Sequence, residues 1–261
     1  MRTVSIINLK GGVGKTVTSI NMAYGLMRRG RRVLLIDCDK QGNTSKFFKC
    51  YSKDKTSLSD VLTGDADIKA AIYDTDYSNL GNTAPTLDVL PADMSLINAA
   101  KQIDDNPIRP GTTRLKEALK SVRAKYDYCI IDCAPDINIP IINALVASDD
   151  VVIPVVIDKF TFDGIAEVME KIDEVRRWHN RDLNFVGCVV TSYRNTDLCN
   201  EGIEVLQEKF GKVFCTRIRW TPIMSKSTFA GVPIVEYSPR CGAAKSYRGF
   251  VEEYERGICN G

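Results

Sequence analysis

Val4-Ser5-Ile6-Ile7-Asn8-Leu9-Lys10-Gly11-Gly12-Val13-Gly14-Lys15-Thr16 is the stretch that decides the fold. An apolar run is followed by a glycine-rich turn, and from residue 15 to 29 by helical spacing of apolar residues. The glycines let the backbone turn tightly, so several N–H groups converge on one point, backed by a helix amino end. Such a loop cradles an anion. Lys15 supplies an ammonium for β- and γ-phosphates, and the Thr16 hydroxyl is a ligand for Mg²⁺. The strict phosphate-loop pattern has Gly where Leu9 stands, but Gly14-Lys15-Thr16 and the strand–loop–helix context are kept. The expected nucleotide contacts are Lys10, Gly11, Gly12, Val13, Gly14, Lys15, Thr16 and Thr18.

Outward from this loop, short Val- and Ile-rich runs recur at residues 4–8, 32–37, 87–91, 128–132, 151–157, 185–191 and 213–218. Their apolarity is continuous rather than alternating, which predicts strands covered on both faces, as in a parallel sheet. Helix-length segments lie between them, at 15–29, 113–125, 160–178 and 196–210. This alternation predicts an α/β fold: one doubly wound domain with a mostly parallel central sheet flanked by helices, of P-loop NTPase type. No linker, charge block or repeat divides residues 1–261, which read as a single domain. Ligands of such folds bind beyond the carboxyl ends of the strands.

Two further runs end in acid there. The second closes Leu34-Leu35-Ile36-Asp37-Cys38-Asp39-Lys40-Gln41-Gly42-Asn43. Alternate residues of an extended chain point the same way, so Asp37 and Asp39 face one site, suited to Mg²⁺ and water positioning. The fourth run, Tyr128-Cys129-Ile130-Ile131-Asp132-Cys133-Ala134-Pro135, has the form of a Walker B strand, with Asp132 the candidate metal carboxylate. The expected metal residues are therefore Thr16, Asp37 and Asp132.

The Lys-Gly-Gly-x-Gly-Lys-Thr form, with Lys10 as a second lysine, resembles the deviant Walker A loop of the ParA/MinD family of dimerising ATPases. The resemblance implies that Lys10 reaches the nucleotide of a partner subunit. The segment from Asp37 to Asn43 is similar to the family's D-x-D-P-Q-x-N motif, with Lys40 at the usual Pro. It implies that Asp39 orients the attacking water, which makes Lys10, Lys15 and Asp39 the expected catalytic residues. The likeness continues through Ile142–Ala147, Asp150–Val155, Gly231-Val232-Pro233-Ile234 and the segment from Ser238 to Tyr247, so it spans nearly the whole chain. It departs at Arg219-Trp220-Thr221 and Ser225-Lys226-Ser227, where the family has Pro-Arg-Asn and Ser-Glu-Ala. The nearest likeness is to the short ParA or Soj-type partition ATPases. It implies ATP and Mg²⁺ as cofactors and slow, partner-stimulated hydrolysis. It also implies an ATP-bound homodimer, sequence-independent DNA binding in plasmid or chromosome partition, and a centromere-binding ParB-like adaptor. Two alternatives belong to the same superfamily: a MinD-like positioning or division-site ATPase, and a metal-cluster or electron-transfer ATPase.

The 35 Lys+Arg against 33 Asp+Glu give a formal net charge of +2, which excludes a histone-like binder but not a local basic patch. Basic residues gather in the second half: Arg176, Arg177 and Arg181; Arg194; Lys209 and Lys212; Arg217 and Arg219; Arg240, Lys245 and Arg248. The closing helix, 243–256, puts Tyr247, Phe250, Val251 and Tyr254 on one stripe with Glu252, Glu253 and Glu255 opposite. Glutamates on the polar face oppose anionic lipid, so a core-docking helix and no membrane partner are expected. The nine cysteines are scattered, without a C-x-x-C pair, which favours a reducing compartment and weighs against a metal cluster. The expected location is cytoplasmic and nucleoid-associated.

Overall fold

The computed structural model describes residues 1–52, 54–78, 85–105, 111–159 and 161–257, with the side chain of Asp163 left aside. Residue 160, expected to open a helix, and Cys259, with the rest of 258–261, lie outside the described residues. The chain runs β1 (Arg2–Ile6), α1 (Lys15–Arg28), β2 (Arg32–Cys38), α2 (Asn43–Phe47), α3 (Leu58–Thr63), α4 (Ile68–Ala71), β3 (Tyr73–Asp74) and β4 (Thr86–Leu90). It continues through α5 (Leu96–Asp104), α6 (Arg114–Lys120), β5 (Tyr128–Cys133), α7 (Ile139–Ala147), β6 (Asp150–Val155), α8 (Thr161–Trp178) and β7 (Asn184–Val190). The last elements are α9 (Asp197–Phe210), α10 (Ile223–Ala230), α11 (Ile234–Tyr237) and α12 (Gly242–Arg256).

The strands form one sheet in the order β3-β4-β2-β5-β1-β6-β7, parallel except for the edge strand β3. Alternate residues of a strand point to opposite faces, and here both faces are covered. Leu34, Ile36 and Cys38 of β2 join a cluster with α3, α5, α6, α7 and α8, while Val33 and Leu35 pack with α1, α11 and α12. This is why the strands read as unbroken apolar runs.

On the second face, α12 docks through Tyr247, Phe250, Val251 and Tyr254, all buried. A Cβ on Gly25 of α1 would come within 2.8 Å of Val251, so glycine there sets how closely the two helices approach. Two of the three glutamates expected on the solvent side of α12 face the protein instead. Glu253 is buried and accepts the Cys215 and Thr216 N–H groups at 2.6 and 2.8 Å, while Glu255 holds Arg29 and Arg31. The core-docking expectation holds, with a less acidic outer face than the sequence suggested. Among the described residues no helix is long and apolar enough to cross a membrane.

The run at 213–218 is not a strand. It meets β7 at one isolated bridge, Cys188 to Val213, and a second bridge, Tyr193 to Arg219, lies just past the ends of both segments. Backbone bonds such as Phe214 N–H to Cys188 O and Ile218 N–H to Val190 O are spaced too irregularly for a ladder. The edge strand β3 has no counterpart among the expected runs, being only two residues long.

Candidate nucleotide and metal site

Between β1 and α1 the glycine loop is fixed at both ends. Asn8 donates from Nδ2 to Pro154 O at 2.8 Å, and its Oδ1 accepts the Lys10 N–H at 2.9 Å, so one buried amide ties the loop entrance to β6. On the other side the Thr191 hydroxyl, just past β7, donates to Val13 O at 2.8 Å. Gly14 is the N-cap of α1 at φ 84, a left-handed conformation that glycine adopts without steric cost. Leu9, where the strict motif has glycine, packs against the core.

Lys15 is buried, and its ammonium donates to Lys10 O at 2.9 Å, which folds the side chain back over the loop. Burial lowers its pKa, although Asp132 and Asp39 pull the other way. An ammonium has three donors, so the lysine that closes the loop also has donors for an anion inside it. Lys10 sits at the outer rim, half-buried, with its ammonium against Asp158 of the same chain. Gly164 of α8 lies over this corner, where a Cβ would sit 3.5 Å from Asn8 Oδ1.

The acids converge as expected. Asp37 and Asp132 are register partners on β2 and β5, and both are buried. Asp37 accepts from Ser45 N–H and Oγ, at 2.8 and 2.7 Å, and from the Asp39 N–H at 3.1 Å. Asp132 accepts from Thr44 Oγ1 at 2.7 Å and Ser19 Oγ at 3.2 Å, with the Thr16 hydroxyl also bonded to it. Burial raises both carboxyls above the ordinary carboxylate range, and the proximity of Asp132 raises Asp37 further. Asp39 is half-buried at the start of the loop to α2, where its Oδ1 accepts the Gln41 N–H at 2.9 Å. Lys40, in place of the family's Pro, lies 3.6 Å from Asp136. It joins the loop after β2 to the loop after β5.

Thr44, Ser45 and Ser19 escaped the sequence reading. Thr44 and Ser45 follow directly on Asn43, and a hydroxyl pair entering a helix beside an acidic strand end was the available signal. Thr18 needs a correction in the opposite sense. Its side chain is fully buried and its hydroxyl meets the Tyr247 hydroxyl at 3.2 Å, so it belongs to the α1–α12 packing rather than to the phosphate loop.

The donor set suits Mg²⁺. It offers only oxygens near the loop: two carboxylates backed by threonine hydroxyls, whose raised proton affinity a divalent cation would offset. Among the described residues no group of three or more His, Cys, Asp and Glu could hold a metal unaided. That agrees with an ion that takes one or two carboxylates together with phosphate oxygens. Cys129 and Cys133 are both buried in the sheet, and burial pushes their thiols up.

Residues 1–185 match the family model described as "AAA domain". The sporulation initiation inhibitor protein Soj of Bacillus subtilis is 36% identical over 255 residues, covering 97% of each chain. The chromosome partitioning protein ParA of Caulobacter vibrioides is 34% identical over 258 residues, covering 97% of this chain and 93% of its own. This chain belongs to the ParA/Soj family. Among solved structures, cobyrinic acid a,c-diamide synthase of Mycobacterium smegmatis, with a bound ATP analogue and magnesium, superposes with a TM-score of 0.83. It is 26% identical and is covered over 95% of its length by 98% of this chain. The ParA/Soj assignment agrees with the P-loop fold and with the placing of Lys10, Lys15 and the three aspartates at one end of the sheet.

Proposed function

We propose that this protein is an ATP-driven dimerising switch that binds DNA without sequence preference and acts in chromosome or plasmid partition with a ParB-like adaptor. The observation that carries the reading is the pair of lysines in one loop. Lys15 is folded inward over the glycines, while Lys10 stands at the rim. The difference supports a reading in which Lys15 serves its own nucleotide and Lys10 that of a neighbouring subunit.

In this reading the N–H groups of Gly11–Thr16 and the Lys15 ammonium bind the triphosphate. Thr16, Asp37 and Asp132 hold Mg²⁺, which when bound neutralises phosphate charge. Asp39 orients the attacking water, and Lys10 of the partner adds positive charge where it develops in the transition state. Lys10 first leaves Asp158. Both side chains are partly exposed, and such pairs contribute only about 0–1 kcal/mol, so the release is a small barrier to dimer closure. Hydrolysis removes the charge that holds the two faces together, and the dimer opens. The similarity to Soj and ParA over nearly the whole chain supports the partition role.

DNA binding measured by salt titration with ATP, with ADP and without nucleotide tests the switch. The expected outcome is tight binding with ATP alone, and equal affinity in all three states contradicts it.

A further inference from the structure

Asp39, the carboxylate read above as the one that orients the attacking water, does not sit on β2 but opens a turn. The Gly42 N–H donates to Asp39 O at 2.8 Å, and the Gln41 N–H donates to Asp39 Oδ1 at 2.9 Å. Residues 39–42 are therefore a β-turn whose first residue also closes an Asx turn with its side chain. The direction of the carboxylate is set by the turn. Lys40 holds the second position, where proline is favoured because its ring presets φ. Lysine presets nothing there, so the turn depends on ties to its surroundings.

Two of these ties are local. The Asp39 N–H donates to Asp37 Oδ1 at 3.1 Å, and the Lys46 ammonium of α2 donates to Gln41 O at 2.6 Å. Lys40 reaches further, with Nζ 3.6 Å from Asp136 Oδ2 in the loop between β5 and α7. Asp136 is itself anchored. Its Oδ1 accepts from Asn138 Nδ2 at 2.6 Å, and Asn138 caps α7 by accepting the Ile141 N–H at 3.1 Å. Lys40 thus bridges the two loops that follow the register partners Asp37 and Asp132, and a line of contacts runs from the Asp39 turn to the amino end of α7. With 41% and 43% of the two side chains exposed, the pair adds little to the stability of the fold. Direction is another matter, because a small misplacement of a reacting group is costly in rate.

We propose that Lys40 is a positioning residue for hydrolysis: its ion pair with Asp136 fixes the 39–42 turn against the loop after β5 and so aims the Asp39 carboxylate. The inference rests on the reading of Asp39 as the group that orients water. Lys40 acts through Asp39, while the triphosphate is held by the glycine loop and Lys15, so the rate responds and ATP affinity does not.

The test is steady-state ATP hydrolysis by Lys40→Met, Asp136→Asn, the double variant and Lys40→Arg, with Asp39→Asn assayed alongside. Lys40→Met and Asp136→Asn each lower kcat about three- to fivefold while KM for ATP stays within about twofold, the range an exposed ion pair supplies. The double variant falls no further than either single one, because the two partners act as a unit. Lys40→Arg keeps the cation and stays near the wild-type rate. A wild-type kcat in Lys40→Met or Asp136→Asn overturns the proposal, as do additive losses in the double variant or an equal loss in Lys40→Arg. So does a Lys40→Met protein that no longer forms the ATP-bound dimer in sedimentation, since its slow hydrolysis then has another cause. An Asp39→Asn protein that hydrolyses ATP at the wild-type rate removes the water-orienting reading, and the proposal with it. An inactive Asp39→Asn beside an unaffected Lys40→Met removes the proposal alone.

Discussion

Asp132 closes β5 at the nucleotide end of the sheet, and Asp150 opens β6 at the opposite end; each is 1% exposed. Burial alone pushes a carboxyl up, and at both sites it is the largest influence. At Asp150 the hydrogen bonds from Arg2, Tyr254 and Asn184 outweigh burial and hold the group below the ordinary range. At Asp132 the donors are the neutral hydroxyls of Thr44, Thr16 and Ser19, with Asp39 near, and the group stays above it. The difference is one guanidinium. At the foot of the sheet a guanidinium bonds the buried carboxylate directly; at the top the direct donors to Asp132 are neutral hydroxyls, and the Lys15 ammonium acts on it only through space, an arrangement that leaves room for a cation.

Substitutions at the two ends sharpen this contrast. The largest effect is expected from Lys15→Ala, which removes a charged donor folded into the loop. ATP affinity measured by calorimetry should fall at least ~100-fold, in keeping with about 3 kcal/mol for a charge-assisted contact. Near-normal affinity would remove Lys15 from the site.

Next in size is Arg2→Ala, which leaves Asp150 buried without its cation. Breaking a fully buried pair costs about 3–5 kcal/mol, and the half-exposed Arg2 side chain reduces this to about 2 kcal/mol, read as a lower urea midpoint. Asp132→Asn at neutral pH should cost less than this or raise stability, because it removes an ionised group the fold disfavours. If Asp132→Asn proves the more damaging, the contrast is wrong.

The pH dependence separates the ends by sign. A carboxyl raised in the folded state binds protons that the unfolded chain releases. Asp37 and Asp132 therefore make the nucleotide-free, Mg²⁺-free protein lose stability as pH rises from about 4 through their folded values. Asp37→Asn should flatten that decline. Asp150 acts oppositely: its contribution is present above about pH 4 and is lost as pH falls through its depressed folded value. Arg2→Ala should reduce the acid-side loss. Urea midpoints from pH 3 to 8 read both slopes.

A smaller effect is expected from Thr44→Val, which removes the 2.7 Å donor to Asp132 while keeping the shape. Hydrolysis should slow by about tenfold, with ATP affinity within about threefold, from the net 0.5–1.5 kcal/mol of one hydrogen bond. An unchanged kcat would make Thr44 structural only.

Much of this was legible in the sequence, and what escaped has physical reasons. Six runs became strands because burial on both faces leaves an unbroken apolar signature. The run at 213–218 carries the same signature, since Phe214 and Ile218 are buried, but apolar content does not specify regular backbone pairing. Edge strand β3 pairs only Tyr73 and Asp74 with β4, too short to show any period. Within the site, charged residues announced themselves through spacing, whereas Thr44, Ser45 and Ser19 act through hydroxyls common in any sequence. Thr18 was misassigned for a related reason: proximity to the glycine loop in sequence says nothing about which side of α1 a hydroxyl faces.

The central claim is that Lys15 serves its own nucleotide and Lys10 the partner's. Sedimentation of Lys10→Ala with ATP and Mg²⁺, beside calorimetry of the same variant, tests it most directly. The account predicts ATP affinity within about threefold of wild type and a protein that stays monomeric where wild type dimerises. A Lys10→Ala protein that still forms the ATP-bound dimer would contradict it.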